Sequence, residues 1–129
     1  MAAVADASYA AVSLHGSFPV GVSIAGIAST GLASIGDHHR HYVLGVAPVE
    51  VSGGLAGPLT YGVSYWIFYD QASRAGGAVS YQATSLYTDA FPNHDAPHRH
   101  FVGALTMPAS SGAANTVGRS ALPPGYVAP

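Results

Sequence analysis

A chain of 129 residues has room for one domain with a modest core, and few of its residues are charged. Only 8% of the residues are Asp, Glu, Lys or Arg, the formal net charge is −2, and cysteine is absent. Four basic residues cannot form the cationic surface that binds nucleic acid, and the lack of cysteine excludes disulfides and thiolate metal sites. The apolar share of 49% argues against a wholly disordered chain.

The first segment, residues 1–19, is rich in Ala, Ser and Val and has no clear period. It predicts an extended N-terminal arm, with a short Ala-rich helix as the alternative. The apolar stretch 20–32 is interrupted by Gly and Ser and is too short to cross a bilayer, so no membrane span is expected. From Val20 onward apolar residues alternate with small polar ones, which predicts the start of a β-domain covering residues 20–108.

The clearest predicted strand is Tyr61–Tyr69, where Tyr61 and Tyr65 share one face and Trp66 and Phe68 the other. Aromatics on both faces predict a central strand that is covered twice, or one whose second face meets another subunit. Together with alternation at 79–84, the segment 61–84 predicts a hairpin. Other short strands are predicted at 41–46, 49–51 and 101–107.

The last segment, residues 109–129, is rich in Ser, Gly, Ala and Pro and predicts an extended C-terminal tail. Six or seven short strands with turns between them predict an all-β fold, a small antiparallel β-sandwich of the fibronectin III or Ig type. The pattern Leu59, Tyr61, Tyr65 resembles a corner of fibronectin type III domains, which implies a core Leu and a Tyr hydroxyl bonded back to the main chain. A buried aromatic strand of any β fold is the alternative.

Motifs for catalysis are missing from the sequence. Its six acidic residues mostly adjoin Gly, Pro, Asn or Ala, as Asp residues in turns do. Neither a Gly-x-Ser-x-Gly elbow nor a Gly-rich loop ending in Lys occurs. The sequence therefore predicts a protein that is not an enzyme.

Histidines form the one suggestive cluster of ligand-type side chains. On strands, imidazoles two residues apart project to the same side, so three copies around a threefold axis would supply six nitrogens for a transition metal ion. This arrangement resembles the His-x-His metal knots of trimeric phage fibres. In the alternative interpretation these histidines lie at the edges of loops, and Arg40 and Arg99 point outward. The predicted ligands are His39, His41, His98 and His100.

Aromatic side chains in the predicted loop 85–97 offer a second type of site. Tyr and Trp rings stack on the faces of sugar rings, so Tyr87 and Phe91 are predicted to contact a receptor or glycan. Core aromatics are commoner than sugar platforms, and Trp66 is therefore interpreted as packing or a subunit contact.

Four stretches within residues 41–109 form a distinctive set: Tyr65–Asp70, Arg74–Thr84, Arg99–Gly103 and Thr106–Ala109. Together they resemble a small β module of tail and fibre proteins from alphaproteobacterial phages and gene-transfer-agent-like particles. The resemblance implies a virion component and carries no catalytic residues. The most specific part of the resemblance is the stretch Arg74–Thr84.

Low charge and the two arms favour a surface that is covered by neighbours, although a polar surface of Ser, Thr and Gly is the alternative. The expected partners are copies of the chain itself, with a trimer favoured, and other virion proteins. The hypothesis is a structural protein on the exterior of a phage or phage-like particle, as a fibre, spike, tail or decoration subunit that contributes to host attachment. The alternative hypothesis is a carbohydrate-binding module for a host surface glycan.

Overall fold

The computed structural model describes residues 17–42, 47–92 and 94–120, and in these residues the fold is all-β, as predicted. A short 3₁₀ helix, Tyr87–Ala90, interrupts the strands. The strands are β1 Ser17–Val20, β2 Ile24–Ile27, β3 Leu32–Ile35, β4 His38–Tyr42, β5 Val49–Val51, β6 Gly54–Ala56, β7 Ser64–Asp70, β8 Gln82–Thr84, β9 Arg99–Thr106, β10 Thr116–Val117 and β11 Arg119–Ser120.

The strands form three sheets, and every ladder between them is antiparallel. Sheet A has the order β1-β4-β5, sheet B the order β10-β2-β3-β6, and sheet C the order β11-β9-β7-β8. The arrangement is β-sandwich-like, and the finer fibronectin III or Ig assignment stays a prediction. In the part of the chain that the structure describes, no helix is long and apolar enough to cross a bilayer.

One hydrophobic core collects side chains from all three sheets. Strands β2, β3, β5, β6, β7 and β9 each contribute one or two inward-pointing side chains to it. The core members are Ile24, Ala33, Ile35, Val51, Ala56, Ile67, Tyr69, Tyr81, Val102, Leu105 and Met107.

Strand β7 is the central strand that its aromatic pattern predicts, although it begins at Ser64 rather than Tyr61. It pairs with β9 on one side and β8 on the other, which confirms the hairpin. Ile67 and Tyr69 are buried in the core. On the outer face Phe68 is also buried, because the Arg99 guanidinium lies 4.1 Å from its ring centroid.

The corner before β7 contains two tyrosine-to-backbone hydrogen bonds. The Tyr65 hydroxyl accepts a hydrogen bond from the Thr60 amide at 3.0 Å, and the Tyr61 hydroxyl donates one to the Ala28 carbonyl at 2.7 Å. Leu59 packs against the core beside them. The local geometry predicted for this corner is therefore present.

Both predicted domain boundaries shift in the structure. Pro19 belongs to β1, so the strands begin within the segment predicted as an arm. At the other end β10 pairs with β2 and β11 pairs with β9, which makes residues 116–120 part of the sheets rather than of a tail. Composition suggested a linker there because strands of two residues are too short to show alternation. The remaining predicted arm (1–16), the rest of the tail (121–129) and residues 43–46 of one predicted strand lie outside the described residues.

Arg40 is buried between sheets A and C, with 1% of its surface exposed, which corrects the expectation that it points outward. Its Nη2 donates a hydrogen bond to the Phe101 carbonyl at 2.6 Å, and its Nε donates one to the Tyr69 hydroxyl at 3.4 Å. The guanidinium also lies 5.6 Å from the centroid of the Tyr69 ring. Among the described residues no carboxylate forms an ion pair with Arg40. The cation is stabilised by a carbonyl, a hydroxyl and a ring face.

His38 lies next to this cluster on the buried face of β4. Its Nδ1 donates a hydrogen bond to the Gly36 carbonyl at 3.0 Å, while Nε2 is buried with no partner among the described residues. Burial lowers the pKa of His38 below its usual 6.5, and the positive charge of Arg40 acts in the same direction. A neutral imidazole is therefore the stable form in the folded chain.

This arrangement predicts a loss of stability in mild acid. Because the folded pKa of His38 lies below the unfolded value, its contribution is fully present above about pH 6.5 and is lost as the pH falls. The loss cannot exceed about 1.4 kcal/mol per pH unit for one group. Urea titrations between pH 5 and 8 should show this slope, and His38→Phe should flatten it.

The exposed His39 supplies the matched control, because His39→Gln should leave the acid slope of the native chain in place. An equal slope in native and His38→Phe chains would contradict the prediction.

At the alkaline end, burial raises the pKa of Tyr81 and Tyr42. The stability that these two neutral phenols contribute is therefore lost as the pH rises above about 10.

Candidate functional site

A chain of aromatic contacts crosses the outer face of sheet C. The ring centroids are 5.7 Å apart for Trp66 and Tyr87, 4.8 Å for Tyr87 and Phe91, and 4.4 Å for Phe91 and Phe101. The 3₁₀ helix places Tyr87 over this face, where it remains 55% exposed. One end of the outer face is thus covered by the loop and the other end is open.

Arg99 holds the loop against the sheet. Its Nε and Nη2 donate hydrogen bonds to the two carboxylate oxygens of Asp70 at 3.0 and 3.2 Å. Its Nη1 donates a third to the Asp89 carbonyl at 2.6 Å. A bidentate pair restricts the guanidinium orientation, so the loop carrying Tyr87 has a defined position on the sheet.

The open end of the face contains a groove of about 520 Å³. Cross-strand register places Thr84, Trp66, Ala104 and Arg119 in one row across β8, β7, β9 and β11. Residues opposite one another in antiparallel strands share a face, so Trp66 and Arg119 flank the small side chain of Ala104. Two strand spacings, about 10 Å, separate them. The groove exists because Ala104 leaves space between two long side chains.

Hydroxyl groups form the next row of this groove. The Ser64 and Thr106 hydroxyls lie 2.7 Å apart, and the Thr116 hydroxyl donates a hydrogen bond to the Thr106 carbonyl at 2.6 Å. One proton of the Ser64–Thr106 pair is used within the pair, which leaves one that can be donated outward. Arg119 is the one charged residue lining the groove, and it has no partner for its side chain among the described residues.

The two aromatic residues predicted as receptor contacts are both part of the contacts on sheet C. Phe91 is half-buried between Tyr87 and Phe101, which gives it a packing role. Tyr87 is exposed and lies against Trp66. Trp66 itself lines the groove, a role that the sequence interpretation did not assign to it.

The predicted histidine pairs have different surroundings. His39 and His41 share the outer face of β4, where His39 lies 3.6 Å from a Glu50 carboxylate oxygen and the His41 ring stacks on Phe18. His98 precedes β9 and is exposed.

His100 is buried within the fold, unlike the metal ligand that was expected. Its Nε2 lies 3.0 Å from the Gln71 carbonyl and its Nδ1 lies 3.4 Å from the Ser17 hydroxyl. Both ring nitrogens are occupied, so His100 is not retained as a ligand. Across the ranges 17–42, 47–92 and 94–120, no three His, Asp or Glu side chains are close enough together to hold a metal ion.

Arg119 and Ala104 are the site residues that sequence reasoning missed. Arg119 lies in a segment whose composition resembles a linker, and Ala104 resembles any small residue of a strand. Their common feature is the register of β11 on β9, which is a tertiary property. The sequence offers no signal for it.

No family model, no curated protein sequence and no solved structure gives a significant match to the chain.

Proposed function

We propose that the chain is a non-enzymatic structural subunit on the exterior of a phage-like particle, present in several copies with a trimer favoured, and that it contributes to host attachment. The resemblance of residues 41–109 to tail and fibre modules supports a location on a phage-like particle. The low charge of the chain supports contact with copies of itself.

The observation that carries the proposal is the outer face of sheet B. None of its four strands contains a charged residue. Register places Val117, Ala25, Ser34 and Leu55 in one row across this face. Val117 is 86% exposed and Leu55 is 58% exposed, with the two small residues between them. Two large apolar side chains at the margins of an uncharged sheet suit contact with a second copy.

The open edge of strand β6 also supports contact with a second copy of the chain. Leu55 is in β6, which pairs only with β3, so one side of its backbone has no strand beside it among the described residues. Soluble monomers usually protect such edges with charged residues or proline. Strand β6, Gly54–Ala56, has neither, and it is available for pairing with a neighbouring chain.

Charges placed on sheet B should dissociate the assembly. The purified chain is expected to show a concentration-dependent mass above the 13.0 kDa of one copy. The variant Leu55→Glu should remain at the mass of one copy, because its carboxylate would lose its hydration in the contact. Light scattering after size exclusion, over a hundredfold concentration range, measures both.

Leu86→Glu is the matched control, because Leu86 is 61% exposed and does not belong to sheet B. It should assemble like the native chain. A native chain that stays monomeric at every concentration, together with its absence from purified particles, would refute the proposal.

A second candidate function is a carbohydrate-binding module, and the groove on sheet C favours it. A partly exposed tryptophan, a row of hydroxyl groups and an unpaired guanidinium are groups that bind sugars by stacking and hydrogen bonds. The two candidate functions share Val117, which belongs to sheet B and also lines one side of this groove.

A further inference from the structure

We infer that the groove between Trp66 and Arg119 binds a glycan that contains a carboxylate-bearing pyranose, with the ring of that sugar on Trp66 and its carboxylate on Arg119. The inference deepens the attachment role and rests on it. It also changes the residues involved, because the predicted contacts Tyr87 and Phe91 lie outside the lining of the groove.

The shape of the groove supports a sugar ring. Trp66 is partly exposed, and Ala104 beside it leaves a flat floor between β7 and β11. Tyr87 meets the Trp66 ring edge to face, with an interplanar angle of 74°. This contact restricts the orientation of the indole, so it offers a preformed platform for stacking.

Charge supports an acidic ligand. Arg119 is the one charged lining residue, and no described side chain neutralises it. A guanidinium matches a carboxylate through two parallel hydrogen bonds. A neutral sugar would leave the Arg119 guanidinium without an anionic partner.

Hydroxyl groups beside the platform complete the match. The spare proton of the Ser64–Thr106 pair can be donated to a sugar hydroxyl, and both oxygens can accept. Nucleic acid would also stack on an indole, but it requires several cations along its backbone and this groove has one. A glycan with one acid group per contact therefore fits better.

The test uses the full chain and a panel of immobilised polysaccharides: polyglucuronate, polygalacturonate, polymeric N-acetylneuraminic acid, and neutral glucan as the reference. The native chain is expected to bind at least one acidic polymer more tightly than glucan. Arg119→Gln should weaken that binding about tenfold or more, since a charge-assisted pair is lost. Ala104→Leu should abolish it by filling the groove.

Ser111→Asp is the control for net charge. It changes the charge by the same amount as Arg119→Gln, at an exposed position outside the groove, and it should bind acidic polymers almost as well as the native chain. Thermal unfolding of each variant separates loss of binding from loss of fold.

Three outcomes would overturn the inference. They are no binding to any polymer, binding to glucan as tight as to the acids, and binding that Arg119→Gln leaves unchanged. Self-association lost in Ala104→Leu would assign the groove to a second copy instead. Because the assembly test on sheet B uses Leu55, which lies outside the lining of the groove, with a mass readout, failure of either idea is distinguishable from failure of the other.

Discussion

Replacing Arg40 by alanine should lower the free energy of unfolding by about 2–4 kcal/mol. The change leaves the Phe101 carbonyl without its charged donor at a buried site and opens space beside Tyr69. An orphaned buried acceptor costs about 1–3 kcal/mol, and the lost packing of the side-chain stem adds to it. The total free energy of unfolding of a domain is about 5–15 kcal/mol, so a large part of the native stability depends on one side chain.

Urea denaturation measures this effect, with Trp66 as the one tryptophan in the chain and hence a single fluorescence probe. Arg40→Met keeps much of the packing but not the donor, so its loss of stability should be smaller, and the difference between the two variants measures the packing contribution. Arg119→Ala is the matched exposed control and should change the free energy by less than about 0.5 kcal/mol. If Arg40→Ala were as stable as Arg119→Ala, the buried cluster would have no structural role.

Gly103→Ala should destabilise the domain by about 2–3 kcal/mol through overpacking. A Cβ at Gly103 would lie 2.3 Å from the Arg119 carbonyl oxygen and 2.5 Å from Cδ1 of Ile24. The first neighbour is main chain and cannot move alone, so β11 must separate from β9 or the sheet must shift. Since Arg119 belongs to β11, the same substitution should also weaken acidic glycan binding.

Gly112 supplies the matched control, because a Cβ there meets nothing within 4 Å. Gly112→Ala should leave both the unfolding free energy and glycan binding close to native. Equal stability of the two variants would mean that β11 is not held against β9 as the structure has it.

Strand β7 was predictable because local sequence alone carries its signal. Its side chains alternate between two faces, and both faces hold large aromatics, which only a doubly covered strand can bury. The hairpin with β8 follows from the polar turn between them. By contrast, β10 and β11 are each two residues long, and a period of two cannot be recognised over two residues.

Arg40 shows the limit of residue type as a guide to burial. A lone arginine between two histidines indicates an exposed strand position, because a buried cation normally needs a carboxylate. Here a carbonyl, a hydroxyl and an aromatic face from sheet C replace the carboxylate. That combination depends on how two sheets pack, which no local pattern encodes.

The sequence by itself determined the fold class, the central aromatic strand and the tyrosine corner, because alternation and turn residues act within a few neighbours along the chain. Only the tertiary structure decided where Arg40 is buried, that His100 is enclosed, and that Trp66, Ala104 and Arg119 form one row. These features depend on the register between strands far apart in the chain. A shift of one residue in that register would move Arg119 to the opposite face and remove the groove.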